Sequence, residues 1–222
     1  MNNLLEFLAA SPSRFHAVEN FRKELEAAGY TRLTESKSWS LTPGGKYYVT
    51  RNESALLAFR VPKAGFAGFM ISASHSDSPT FRIKENAELA GPEGYLRLNT
   101  ERYGGMLCAP WMDRPLTVAG RVLARAGEGI ETKLVYVDRD LLMIPNVAVH
   151  MNRAANDGFK YDPKCDMVPL MGLGTEKGAF RAVVAEYAGC KAEDILGTDL
   201  FLCPRQKAMV WGAGNEFVSS PR

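Results

Sequence analysis

The stretch Phe69-Met70-Ile71-Ser72-Ala73-Ser74-His75-Ser76-Asp77-Ser78-Pro79 runs from a wholly apolar tripeptide into a polar turn. An apolar run without alternation reads as a strand buried on both faces, as in a helix-covered α/β sheet. The polar residues then fall just outside the carboxyl end of a strand, where open α/β sheets gather their sites. If extended geometry continues, His75 and Asp77 point to one side and Ser74, Ser76 and Ser78 to the other. A carboxylate so placed can hold the imidazole in one tautomer while the other ring nitrogen binds a metal. A capped strand end with a polar turn is the competing reading. A Ser-His-Asp relay does not fit, because neighbours in an extended chain cannot close it and no G-x-S-x-G elbow is present.

Upstream, residues 2–28 read as helix, broken at Ser11-Pro12-Ser13. Phe15, Val18, Phe21, Leu25 and Ala28 fall at helical spacings, with Ser13 as the expected N-cap and Gly29 as the residue just past the end. Pro43-Gly44-Gly45 predicts a turn. Tyr47-Tyr48-Val49 and residues 55–61 predict two strands around the polar turn Arg51-Asn52-Glu53-Ser54.

Downstream of about residue 90 the texture changes. Gly91-Pro92, Gly94, Gly104-Gly105, Pro110, Gly120, Gly127 and Gly129 punctuate short β-like runs at 117–123 and 132–137. Such a pattern predicts a small β-rich domain. It holds one helix, on which Phe180, Val183, Val184 and Tyr187 share a stripe. Gly172-Leu173-Gly174-Thr175-Glu176-Lys177-Gly178 resembles a phosphate cradle. Its third glycine is one place late for G-x-G-x-x-G, and Lys177 precedes Gly178, so it reads instead as a loop with a helix cap at Thr175. From about Val210 the composition turns again, through Trp211-Gly212-Ala213-Gly214. The expected domains are therefore 1–90, 91–209 and 210–222, the last returning to the first.

Among 222 residues, 27 are Lys or Arg and 25 are Asp or Glu, a formal charge of +2. That balance argues against a phosphate-tracking nucleic-acid binder. The longest uncharged apolar run, residues 64–74, is too short to span a bilayer. Met1-Asn2-Asn3-Leu4-Leu5-Glu6 lacks the basic start of a secretory signal. Cys108, Cys165, Cys190 and Cys203 make no C-x-x-C pair, so free thiols in a cytoplasmic protein are expected. His16, beside Phe15, and His150, after the apolar string 144–149, read by default as structural histidines. Asp113-Arg114 reads as an ion pair or a turn.

Taken together, these strings resemble the aspartyl aminopeptidase family of cocatalytic zinc peptidases. The matching segments are Ser11-Pro12-Ser13-Arg14-Phe15-His16-Ala17-Val18, Ser74-His75-Ser76-Asp77-Ser78-Pro79, Tyr103-Gly104-Gly105 and Trp111-Met112-Asp113-Arg114-Pro115-Leu116. Ala119-Gly120-Arg121-Val122, Ile144-Pro145 with Ala148-Val149-His150, and Trp211-Gly212-Ala213 with Ser219-Ser220-Pro221-Arg222 complete the match.

The resemblance implies an α/β, zinc-peptidase-like sandwich, incomplete in this chain, with an inserted β-rich dimerisation domain. It implies His75 as a zinc ligand and Asp77 as its orienting partner. It also implies that His150 reaches the active site of a neighbouring subunit, in a homo-oligomer built through the β-rich domain. The implied reaction removes an N-terminal residue, often Asp or Glu, from a peptide, with two zinc ions polarising the carbonyl and supplying hydroxide. Family members are longer, and their bridging aspartate, general-base glutamate and remaining ligands lie beyond the matched strings. Only His75 is matched as a ligand, whereas a catalytic zinc takes about three. The chain is therefore expected to carry the N-terminal half of such an enzyme and part of its active site. The alternative is a non-catalytic oligomerisation module or inactive fragment.

Overall fold

A computed structural model describes residues 2–174 and 177–221. The chain divides into two compact units, residues 1–78 and 79–222.

The first unit opens with α1 (Asn2–Ala10) and α2 (Arg14–Ala27). As expected, Ser13 caps α2: its backbone is extended and its hydroxyl accepts from the His16 amide. The far end closes in a Schellman motif, with Tyr30 N–H donating to Leu25 C=O at 2.9 Å and Gly29 N–H to Glu26 C=O at 3.0 Å. Gly29 adopts the left-handed φ of +80° that this motif needs. Phe15, Ala17 and Val18 bury the inner face of α2, and Phe7 meets Phe21 with ring centroids 4.7 Å apart.

A small mixed sheet follows, in the order β1 (Thr31–Arg32), β2 (Lys46–Arg51), β3 (Ala55–Arg60). β2 and β3 form the expected hairpin, with Tyr47 opposite Phe59 and Val49 opposite Leu57. Asn52 and Glu53 both take positive φ at its tip, and Ser54 N–H closes the turn on the Arg51 carbonyl at 3.2 Å, just before Arg51 pairs with Ala55. Tyr48 is fully buried, and its hydroxyl donates to Glu26 Oε1 at 2.5 Å, fastening β2 to α2.

Phe69-Met70-Ile71 does not form the buried strand its composition predicts. No strand or helix covers residues 61–79, and Phe69 and Ile71 are 82% and 85% exposed. The physical reason is non-local: a strand exists only through neighbours, and the sheet of the first unit ends at β3.

The second unit is a six-stranded antiparallel sheet in the order β7-β6-β9-β4-β5-β8. The strands are β4 (Thr80–Ala90), β5 (Tyr95–Tyr103), β6 (Leu116–Ala126), β7 (Gly129–Tyr136), β8 (Leu170–Leu173) and β9 (Ile195–Pro204). The β-like runs at 117–123 and 132–137 become β6 and β7. α3 (Ala179–Ala188) lays Phe180, Val184, Ala185 and Ala188 into the core with Phe81, Leu98, Val118, Val122 and Leu200. β6 and β9 run so close that a Cβ on Gly120 would sit 2.0 Å from the Asp199 carbonyl oxygen. On the opposite face Arg121 pairs with Asp199 at 3.1 Å, and Arg82 reaches Asp199 at 3.2 Å.

The division between the units falls at 78/79, earlier than the 90/91 boundary read from composition. β4 pairs Thr80 with Tyr103 and Arg82 with Phe201, which ties residues 80–90 to the second unit. Residues 210–222, expected to rejoin the first unit, group with the second, where β10 (Met209–Trp211) and β11 (Phe217–Ser219) make a hairpin of their own. Thr175, the expected cap of α3, lies outside the described residues. Within them the cap comes from β4: the Glu88 carboxylate accepts from Gly178 N–H at 2.7 Å and Phe180 N–H at 2.6 Å. All four cysteines are free thiols. No helix of the described residues is long and apolar enough to cross a membrane.

Candidate metal centre

His75 and Asp77 lie in the irregular segment that follows the hairpin of the first unit. Their side chains meet, with His75 Nδ1 2.9 Å from Asp77 Oδ1. The imidazole is otherwise open, its side chain 90% exposed, whereas Asp77 is 28% exposed. Ser76, between them, turns the other way and donates from Oγ to the Ser54 carbonyl at 2.9 Å. The chain bends at Ser76 instead of continuing extended, and this bond anchors the segment to the β2–β3 turn. Ser76 is spoken for by that bond and takes no part in a relay through His75.

Chemically, a carboxylate at Nδ1 favours the tautomer with its proton on that nitrogen. The Nε2 lone pair is then available to a metal or a proton. This is the donor chemistry of a carboxylate-oriented zinc ligand, and the two residues fit one such role. A catalytic zinc takes about three protein ligands. Among the described residues no group of three or more His, Cys, Asp or Glu side chains is placed to hold a metal.

The remaining candidates have other surroundings. His16 belongs to the start of α2, where Nδ1 lies 2.8 Å from Ser13 Oγ, a helix-capping arrangement. His150 is exposed in a turn of the second unit, within a long irregular stretch. Residues 142–144, upstream of it, make only isolated bridges: Met112 with Ile144, Leu116 with Leu142, and Met143 with Leu170. Asp113 is a turn residue with φ of +56°, and its carboxylate accepts from the Asn146 amide at 2.8 Å. It thereby pins the root of the stretch that carries His150. Composition gave no sign of that link, which joins residues 33 apart in sequence.

Comparison with known proteins adds the following. Residues 7–222 match the family described as "Aminopeptidase I zinc metalloprotease (M18)". A probable M18 family aminopeptidase 2 of Clostridium acetobutylicum is 43% identical over 227 aligned residues, which cover 99% of this chain and 52% of that protein. Among solved structures, a chain in the cryo-EM structure of the Ape4 and Nbr1 complex superposes with a TM-score of 0.91 at 33% identity, covering 97% of this chain and 46% of that one. Chaetomium thermophilum mApe1 superposes with a TM-score of 0.87 at 31% identity, covering 98% and 53%. The chain spans about half the length of the curated relatives it matches.

Proposed function

Because the chain belongs to the M18 family of aminopeptidase I zinc metalloproteases, we propose that it serves in a zinc aminopeptidase releasing N-terminal Asp or Glu residues from peptides. The observation that carries this reading is the His75–Asp77 pair, a metal-ready imidazole held by its own carboxylate inside the matched region. The acidic preference follows from the resemblance of the matched strings to aspartyl aminopeptidases.

Bound zinc, two ions in the complete site, would polarise the scissile carbonyl and lower the pKa of the attacking water. His75 presents Nε2 as one ligand. Asp77 accepts a hydrogen bond from Nδ1–H and fixes the ring. The other donors and the general base come from outside the described residues. By itself the 222-residue chain is expected to turn over no aminoacyl substrate.

The six-stranded second unit serves as the β-rich domain through which copies pair, inserted in a sandwich-like catalytic domain. β7 and β8 end the sheet, and such edges call for cover. His150, exposed on this unit, contributes to the active site of a neighbouring subunit.

The test is release of p-nitroaniline from Asp-, Glu-, Leu- and Lys-p-nitroanilide with added zinc. This chain is combined with a polypeptide that carries the part of the Clostridium acetobutylicum relative beyond the match. Zinc-dependent turnover of the acidic substrates, and none by this chain alone, is expected. Robust turnover by the chain alone would overturn the incomplete-site reading. A combined enzyme that prefers leucine or lysine would overturn the acidic preference.

A further inference from the structure

His75 and Asp77 reach each other across one residue, and that residue is itself held. Ser76 Oγ donates to the Ser54 carbonyl at 2.9 Å, a bond between residues 22 apart in sequence. The chain bends at Ser76, and no strand or helix covers residues 61–79, so no regular ladder fixes the backbone there. Bringing Nδ1 and Oδ1 to 2.9 Å therefore requires an ordered backbone across three residues as well as ordered side chains. The Ser76 bond supplies part of that order. Peptide planes are rigid, so fixing the middle residue leaves the roots of the two flanking side chains little freedom.

The acceptor is itself held in place. Ser54 follows the tip of the β2–β3 hairpin, where Asn52 and Glu53 take φ of +51° and +55°. Neither is glycine, so the tip holds a backbone conformation that side chains seldom adopt. Ser54 N–H closes the turn on the Arg51 carbonyl at 3.2 Å, and Arg51 pairs with Ala55. The turn grips Ser54 on one side and the strand ladder on the other, and its carbonyl offers Ser76 a fixed acceptor.

We propose that Ser76 is a positioning residue for the zinc ligand. Its hydroxyl, held by the Ser54 carbonyl, keeps the Asp77 carboxylate against Nδ1 of His75 and so leaves Nε2 unprotonated and open to a metal. The metal part rests on the zinc-aminopeptidase reading; the orienting of the ring by Ser76 does not. Ser76 acts through the carboxylate, and the hairpin tip acts through Ser76.

Ring-nitrogen NMR of the 222-residue chain reads the arrangement without zinc. At about pH 8 an ordinary imidazole is neutral. A free ring then carries its proton mostly on Nε2, whereas a ring bonded to Asp77 carries it on Nδ1. The parent should show His75 mainly as Nδ1–H. Ser76→Ala should lower the ratio of Nδ1–H to Nε2–H by about two- to tenfold, the worth of one ordinary hydrogen bond, and leave the amide spectrum of α2 unchanged. Ser76→Thr keeps the hydroxyl and should restore the parent ratio. Glu53→Pro fixes φ at about −65°, which the tip cannot use, and should lower the same ratio from the hairpin. The same samples are then titrated with zinc, and Ser76→Ala should need about two- to tenfold more zinc for half of the Nε2 shift.

An unchanged ratio in Ser76→Ala, or a Ser76→Thr chain that behaves like Ser76→Ala, would overturn the proposal. If Ser76→Ala does not fold, Glu53→Pro carries the test, and an unchanged ratio there has the same force. Zinc that moves Nε2 at equal concentrations in the parent and in Ser76→Ala sinks the positioning role and spares the zinc reading. A ratio that follows Ser76 in chains whose His75 ignores zinc sinks the zinc reading and spares the orienting role.

Discussion

His75 Nδ1 and Asp77 Oδ1 stand 2.9 Å apart with only Ser76 between them in sequence. Between them Ser76, at a bend of the chain, donates to the Ser54 carbonyl at 2.9 Å, which ties the segment that carries the pair to the β2–β3 turn. Asp77→Asn keeps the shape and loses the charge. In the assembled enzyme it should weaken zinc binding by about 10–100-fold, the range usual for a ligand's hydrogen-bond partner. Competition with a chelator measures this, and unchanged affinity would show that Asp77 does not tune the ligand.

Acid should loosen the first unit by way of α2. Arg22 bonds Glu19 at 2.7 Å and holds its carboxyl below the usual value. Glu26 is held low too, first by the Tyr48 hydroxyl and then by Arg22. A carboxyl depressed in the folded state contributes stability that is present above its unfolded pKa of about 4.3. That contribution is lost as pH falls through the lower folded value. Thermal melts from about pH 7 to about pH 3 should therefore show a decline beginning near pH 4 to 5. Glu19→Gln should shallow that decline, and a decline parallel to the parent's would remove Glu19 from the explanation.

Glu88 caps α3 from another strand, satisfying two of the amides that a helix start leaves bare. Glu88→Ala should cost about 1–2 kcal/mol and speed amide exchange in the first turn of α3. Glu88→Gln, which still accepts hydrogen bonds, should recover part of the loss. Chemical denaturation with both variants checks the order.

Gly120 lets β6 and β9 approach more closely than any side chain would permit. The atom in the way is a backbone oxygen inside the sheet, which cannot swing aside. Gly120→Ala should destabilise the second unit by about 2 kcal/mol or more. A variant with an unchanged denaturation midpoint would mean that the strands can separate without penalty.

What was legible in the sequence was mostly local. Ser13 and Gly29 bounded α2 because caps are read within a turn of the helix they serve. The polar turn at 51–54 marked the β2–β3 hairpin, and the i, i+3, i+4, i+7 stripe marked α3. The His75–Asp77 contact joins residues two apart and lay within reach of a local reading, although the chain bends at Ser76 instead of staying extended. Longer-range features escaped. Lys84-Glu85-Asn86 interrupts the alternation begun by Phe81 and Ile83, and the register shifts between Ile83 and Glu88, so β4 was hidden and the domain boundary drawn late. The carboxylate that accepts from the first amides of α3 lies 90 residues upstream, beyond the reach of any spacing rule. Phe69-Met70-Ile71 carries the composition of a buried strand, but burial is conferred by neighbours, which composition does not reveal.

The central claim is that His75 offers Nε2 to zinc while Asp77 holds Nδ1. Ring-nitrogen NMR of this 222-residue chain, titrated with zinc, addresses it most directly. The account predicts that the Nε2 signal of His75 moves with zinc while Nδ1 stays protonated, and that the signals of His16 and His150 do not follow. Zinc that leaves His75 unmoved, or that displaces the Nδ1 proton, would contradict it.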